Sequence, residues 1–97
     1  MFILISRYLK PLAEIERVLA EHRRHLQIFY DSGIFHASGP REPRTGGVIL
    51  ASGTREQIDA FLRDDPFVRE GISDYEVIEF HPAMQSGAFR ALSGNPE

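Results

Sequence analysis

The chain has 97 residues, 42% of them apolar and 26% charged, with no cysteine and a formal net charge of −3, which is typical of one globular domain with a thin core and excludes a disordered chain. Without cysteine, a disulfide framework, a thiolate nucleophile and a Cys-ligated zinc site are excluded, and the acidic balance argues weakly against a nucleic-acid partner. No apolar run approaches the ~20 residues of a membrane span, and the first residues lack the flanks of a signal peptide, so we expect a cytoplasmic protein with no membrane partner.

The first half of the chain predicts a strand, a helix and a second strand. Residues 2–9 carry apolar side chains on both faces of an alternating pattern, which predicts a strand covered on both sides. Pro11 then opens a helix, whose apolar positions fall on one arc at about 100° per residue and which ends near Gly33. A strand over residues 34–38 follows, and the glycines and prolines of residues 39–46 predict a loop.

The second half repeats this order. Residues 47–51 form an unbroken apolar run, which predicts a central strand. Thr54 and Gln57 match a capping box at the start of a second helix, which ends before the Asp-Pro pair at residues 65–66. One further helical turn and a strand over residues 75–80 come next, and the tail from residue 81 onward is weakly patterned.

Strand-helix-strand occurs twice, which predicts an α+β domain of ferredoxin-like β-α-β-β-α-β order with a four-stranded antiparallel sheet and two helices on one face. We assign one domain to residues 1–97, with a core over about 2–82 and a tail over 83–97. The other sheet face still carries apolar side chains, including Ile78 and Phe80, and an uncovered face of this kind predicts a partner. A homodimer packed sheet to sheet is the simplest solution, and a monomer with the tail folded over that face is the alternative.

His22 is the most conspicuous polar residue of the first helix, because it lies at the centre of the apolar arc. A buried polar side chain needs a partner. Two interpretations remain open: a core histidine bonded to a backbone carbonyl, or a residue of a functional site. His25 lies one turn further on, where the two rings could share a metal ion. No third ligand is evident and Arg23 and Arg24 repel a cation, so we expect no metal site.

Two further features could carry chemistry. Asp65 is either a turn residue that binds its own backbone or a carboxylate that orients a histidine. In the loop that follows Ser38, Gly46 and Gly47 permit close approach of a backbone to a ligand, and Arg44, like the nearby Arg41, could receive an anion. A rigid connection explains the same loop, and the chain has no phosphate-loop pattern, dinucleotide fingerprint or Ser-His-Asp motif.

These features occur together, in order and at the same spacing, in a known family. The residues that carry the likeness are His22, Gly33, Ser38-Gly39-Pro40, Asp65-Pro66-Phe67, Gly71 and Phe80. Over about residues 2–82 the sequence resembles the YciI-like (YCII-related) family. The resemblance implies a dimeric α+β barrel with a His–Asp pair in a cleft, a role that falls on His22 and Asp65. Related activities include dehydrochlorination of a chlorinated hydroxyquinol and muconolactone isomerisation, but Ser38 replaces the common Ala, so the substrate does not transfer.

The functional hypothesis is therefore a cofactor-independent lyase or isomerase acting on a small cyclic molecule. His22 would serve as general base or acid, Asp65 would hold its ring, and Ser38, Gly39 and Arg44 would bind the substrate. The alternative is a homodimeric module that binds a ligand, or serves as an accessory, without catalysis. What His22 contacts distinguishes a site from a core residue.

Overall fold

The computed structural model describes residues 1–93, which form a four-stranded sheet with helices packed on one face. The strands are antiparallel to their neighbours and lie in the order β2-β3-β1-β4. In chain order the elements are β1 (Phe2–Tyr8), α1 (Leu12–Asp31), β2 (Phe35–Pro40), β3 (Gly47–Ala51), α2 (Arg55–Asp64), α3 (Pro66–Arg69), β4 (Ser73–Glu79) and α4 (Gly87–Ser93). The predicted ferredoxin-like α+β fold is thereby confirmed. No helix of these residues is long and apolar enough to cross a membrane.

The structure departs from the predicted boundaries most clearly in three places, and by one residue at several others. Gly39 and Pro40 belong to β2 rather than to a loop, because they pair with the start of β3 and β2 is an edge strand, where proline is tolerated. β4 begins at Ser73, which pairs with Tyr8. Pro11 is the residue before α1 and not its first helical residue. In the tail, α4 was not predicted, since seven residues are too few for a clear helical period.

The junction between α2 and α3 places one carboxylate in the interior. α2 starts with the predicted capping box, in which Thr54 and Gln57 each accept a hydrogen bond from the other's backbone N–H, at 3.3 and 2.8 Å. It ends at Asp64, and the next residue, Asp65, has an extended backbone, as a residue before proline prefers. The Asp65 side chain then accepts from the backbone N–H of Phe67 and caps α3. The chain therefore turns at Asp65 with the carboxylate directed inward.

The two long helices, α1 and α2, pack on the same sheet face. Phe2, Leu4 and Ile49 lie on that face, because alternate residues of β1 and the partners they face on β3 point to the same side. They form one buried cluster with Ile58 and Phe61 of α2. A second buried cluster joins α1 to α3 and the start of β4. Each such side chain contributes roughly 1.5–3 kcal/mol by leaving water, so this core fixes α1 over the sheet.

The opposite sheet face is apolar and open. Val48, Ile78 and Phe80 each remain more than a third exposed, and their neighbours on the same face are Ile3, Ile5 and Leu50. The described part of the tail, through residue 93, does not bury these three side chains, and residues 94–97 lie outside the described part of the chain. The structure therefore leaves open the face on which a second copy was expected.

Candidate functional site

The first element of the site is a contact between His22 and Asp65. The inner face of α1 buries His22, which is 9% exposed, and the α2–α3 junction buries Asp65 completely. The Nδ1 atom of His22 lies 2.7 Å from Oδ1 of Asp65. Because a carboxylate only accepts, Nδ1 carries the proton and Nε2 is left as the basic nitrogen. His22 is therefore held by a charged side chain and not by a backbone carbonyl.

Phe67 fixes both members of this pair. Its ring stacks on that of His22, with centroids 3.8 Å apart and planes inclined by 5°. Its backbone N–H donates to the same Asp65 oxygen, at 3.4 Å. The other carboxylate oxygen, Oδ2, is buried and has no hydrogen-bond partner in residues 1–93. The imidazole is thus fixed in plane by the stack and in rotation by the carboxylate.

Tyr75 adds a neutral phenol to the same region. It lies on the inner face of β4, paired with Ser6 of β1. Burial, and after it the charge of Asp65, raise the pKa of Tyr75 well above its ordinary range. A weak hydrogen-bond interaction with the Asp65 side chain raises this pKa further, although Oδ2 of Asp65 has no partner at ordinary hydrogen-bond distance in residues 1–93. Tyr75 consequently keeps its proton at neutral and moderately alkaline pH and can donate it in a hydrogen bond.

A cleft of about 770 Å³ lies beside these groups, between α1 and the inner face of the sheet. His22 and Tyr75 line it, together with Leu19 and Leu26 of α1 and Ile49 of β3. Its walls thus combine apolar side chains with polar and charged ones. This is the usual composition of a small-molecule site.

The cleft brings together four of the five site residues that the sequence predicted. Ser38, Gly39 and Arg44 line it with His22, and Asp65 lies behind the His22 ring. Their functional roles stay predictions.

Arg44 already has an acidic partner within the chain. Its Nη1 atom pairs with Oε1 of Glu16 at 2.7 Å. The hydrogen bond to Glu16, and after it the one to Tyr8, raise the pKa of the Arg44 guanidinium. Its charge is therefore largely satisfied within the protein.

Sequence reasoning missed the residues that surround the predicted ones. The sequence does contain a signal for Tyr75, because the period of two in β4 places it on the inner sheet face with Val77. It also contains one for Tyr30, which lies eight residues after His22 on the same arc of α1. The stacking of Phe67 had no signal beyond its closeness to Asp65 in the chain.

The other histidine of the arc has a structural role. Nε2 of His25 lies 2.9 Å from the backbone carbonyl oxygen of Phe61, and its ring stacks on the Phe61 ring. This is the arrangement that one interpretation assigned to His22. In the described chain, no three His, Asp or Glu side chains lie close enough to hold a metal ion together.

Fold and cleft define a small ferredoxin-like α+β domain with a buried histidine–carboxylate pair beside an open cavity. The chain belongs to the YCII-related domain family, whose profile matches residues 1–81. Among solved structures it is similar to 5-chloro-2-hydroxyhydroquinone dehydrochlorinase (TftG) from Burkholderia phenoliruptrix AC1100, in complex with 2,5-dihydroxybenzoquinone. The TM-score is 0.67 at 20% identity, over 82% of this chain and 93% of that one, which establishes the shared fold. No curated protein matches the sequence.

Proposed function

We propose that this protein is an enzyme that performs general acid–base chemistry on a small oxygenated ring compound, with His22 as the base and Asp65 as the group that holds it. The observation that carries this proposal is the 2.7 Å contact between Nδ1 of His22 and Oδ1 of Asp65 at the wall of a 770 Å³ cleft. A histidine fixed in this way offers Nε2 to a bound molecule as a base.

The reaction class that suits these groups is elimination or isomerisation. In an elimination, Nε2 of His22 takes a proton from the substrate, the electron pair of the broken bond forms a new π bond, and the leaving group departs with its own pair. The Asp65 carboxylate stabilises the imidazolium that results. In an isomerisation, the imidazolium returns the proton to a different carbon. Tyr75, as a neutral phenol, donates a hydrogen bond to an oxygen on which negative charge develops.

The similarity to the dehydrochlorinase supports this assignment at the level of reaction class. That enzyme, with the same fold, removes the elements of HCl from a chlorinated hydroxyhydroquinone. Applied here, the proton goes to His22 and chloride leaves. The low identity of 20% leaves the substrate of this protein to be determined by experiment.

The proposal includes a cytoplasmic homodimer formed through the open sheet face. Six apolar side chains of β1, β3, β4 and the residue after β4 lie on that face, three of them more than a third exposed, and an exposed apolar patch of this kind marks a docking surface. A second copy packed against it would bury these side chains and enlarge a core that is thin in 97 residues. The absence of cysteine suits a reducing compartment.

The test is release of chloride from 5-chloro-2-hydroxyhydroquinone by the purified protein and by His22→Asn. Asparagine places an amide N–H where Nδ1 donates to Asp65 but has no counterpart of Nε2, so the fold and the Asp65 contact should persist. We expect a rate reduced by about 10²–10⁴-fold, the usual contribution of general acid–base catalysis. The control is His25→Gln, whose amide can keep the contact with the Phe61 carbonyl and which should retain the rate.

Two outcomes would redirect the assignment. If His22→Asn turns over as fast as the wild type, His22 is not the base. If the wild type binds 2,5-dihydroxybenzoquinone but converts neither the chlorinated compound nor related lactones, the protein is a ligand-binding module and not an enzyme.

A further inference from the structure

A pair of hydroxyl groups, Tyr30 and Ser38, lies in the cleft apart from the His22–Asp65 pair. The phenolic O–H of Tyr30 on α1 donates to Oγ of Ser38 on β2, at 2.6 Å between the oxygens. The Tyr30 ring is itself held by an edge-to-face contact with Phe35, at 5.9 Å between centroids. Both hydroxyl groups line the cleft. This pair therefore forms a fixed polar point on the wall of the cleft.

The direction of this hydrogen bond leaves the hydroxyl proton of Ser38 without an acceptor. A serine hydroxyl can donate once and accept twice, and a phenol is the more acidic of the two groups, so Tyr30 donates and Ser38 accepts. In the described chain, the Ser38 hydroxyl has no other hydrogen-bond partner. Its proton is consequently available to an acceptor in the cleft, where Ser38 is exposed. Acceptance from Tyr30 also polarises the Ser38 hydroxyl and strengthens it as a donor.

The distance between the Tyr30–Ser38 pair and His22 sets the length of a ligand that contacts both. Tyr30 follows His22 by eight residues on α1, a rise of about 12 Å along the helix axis. Between the two levels the cleft is lined by the apolar Leu26 and Ile49 and also by the polar Arg23 and Gln27 of α1. Ile49 pairs with Ser38 across the strands. A ligand that reaches both ends therefore carries polar groups at opposite edges.

We propose that Ser38, oriented by Tyr30, is the group that selects the substrate by donating to an oxygen at the edge of the ring remote from His22. The substrate class is then a cyclic compound with a carbonyl or phenolate oxygen opposite its reactive position. This inference rests on the proposed function, since it names the substrate of the same cleft. Ser38 and Tyr30 act in binding and orientation, and the proton transfer stays with His22.

The experiment compares the affinity of two probes for the wild type and for Ser38→Ala. The first probe is 2,5-dihydroxybenzoquinone, with oxygens on opposite edges of its ring, and the second is phenol, with a single oxygen; titration calorimetry measures both. Loss of one neutral hydrogen bond should weaken the first probe by about 2- to 12-fold and leave phenol unchanged. Ser38→Thr, which keeps the hydroxyl, should restore most of the affinity.

Tyr30→Phe tests the orientation. It should weaken the quinone in the wild-type background and have no further effect in the Ser38→Ala background, because the two hydroxyls act as one unit. Ser52→Ala, which removes a hydroxyl bonded to His36 outside the cleft, is the matched control and should not change either affinity. Thermal unfolding of each variant confirms that the fold is retained.

The results separate this inference from the proposed function. If Ser38→Ala weakens both probes equally, or neither, the selection by Ser38 is wrong, whereas His22→Asn still decides the catalytic role. If the effects of Ser38→Ala and Tyr30→Phe add independently, Tyr30 does not orient Ser38. If the wild type binds neither probe, the substrate class is wrong and the inference falls with it.

Discussion

Replacing Asp65 by Asn distinguishes a carboxylate that serves catalysis from one that only holds the fold. The substitution keeps the volume and one oxygen, and it removes the charge. Asn caps a helix as well as Asp does, so the hydrogen bond from the Phe67 N–H to the cap of α3 should persist. What changes is the partner of the His22 ring, which becomes a neutral amide in place of a carboxylate 2.7 Å away.

The expected effect on stability is small because two contributions oppose each other. A hydrogen bond to a charged group contributes about 1 kcal/mol more than a neutral one, and this difference is lost. A buried carboxylate whose Oδ2 has no hydrogen-bond partner in residues 1–93 also carries a desolvation cost, and this cost is relieved. The free energy of unfolding should therefore stay within about 1 kcal/mol of the wild type, close to the typical effect of a point mutation.

The effect on activity should be much larger. If the amide oxygen stays on the Phe67 N–H, the same oxygen accepts from Nδ1 of His22 but carries no charge. The amide therefore cannot stabilise the imidazolium that forms in the reaction. A fall of about 10²-fold or more in kcat is expected, within the range of general acid–base catalysis. Urea unfolding followed by circular dichroism measures the first quantity and chloride release measures the second, with the neighbouring exposed Asp64→Asn as control.

Two results would refute this reasoning. A loss of 3 kcal/mol or more with full activity in the surviving folded protein would assign Asp65 to the fold, since roughly that cost follows when a buried pair is broken. An unchanged rate with unchanged stability would show that Asp65 does not orient His22 for the reaction.

Three other predictions concern the parts of the fold that support the site. Gly46→Ala should lower the free energy of unfolding by about 3 kcal/mol, the upper end for overpacking, because its Cβ atom would lie 1.9 Å from the Ser6 carbonyl oxygen. Gly39→Ala is the control: no atom lies within 4 Å of its Cβ, so the free energy of unfolding should change by less than about 0.5 kcal/mol in the same urea titration. Ile78→Glu should give a monomer in sedimentation at micromolar concentration, whereas Ile28→Glu, on the exposed side of α1, should not; a wild-type monomer would contradict the dimer. The unfolded chain releases the Tyr75 proton at its ordinary pKa of about 10, whereas the folded protein holds that proton to higher pH. The free energy of unfolding should therefore fall as pH rises past about 10. Tyr75→Phe should make that fall shallower.

Much of the fold could be predicted because local signals agreed with one another. The arc of α1, the Thr54 capping box and the Asp65-Pro66 stop each have a physical cause within a few residues. The boundaries of β2 could not be predicted in this way. Gly39 and Pro40 have loop composition, and only their place on an edge strand beside β3 makes extended pairing possible.

The candidate site, like the fold, could be predicted only in part. The sequence indicated that His22 needs a partner, because a polar side chain on an apolar helix face cannot remain unbonded. Which partner it takes depends on the crossing of α1 with the α2–α3 junction, 43 residues away in the chain. The Arg44–Glu16 ion pair joins side chains that share no periodic pattern, so the sequence did not indicate it.

The tautomer of His22 tests the central claim most directly, because the proposed base exists only if Nδ1 carries the proton. Nitrogen-15 NMR of histidine-labelled protein at neutral pH reports the proton on each ring nitrogen, and His22→Asn identifies the signal among the four histidines. The account predicts a protonated Nδ1, bonded to Asp65, and a bare Nε2 facing the cleft. A protonated Nε2 with a bare Nδ1 would contradict it, since His22 would then present a donor to the cleft and no base.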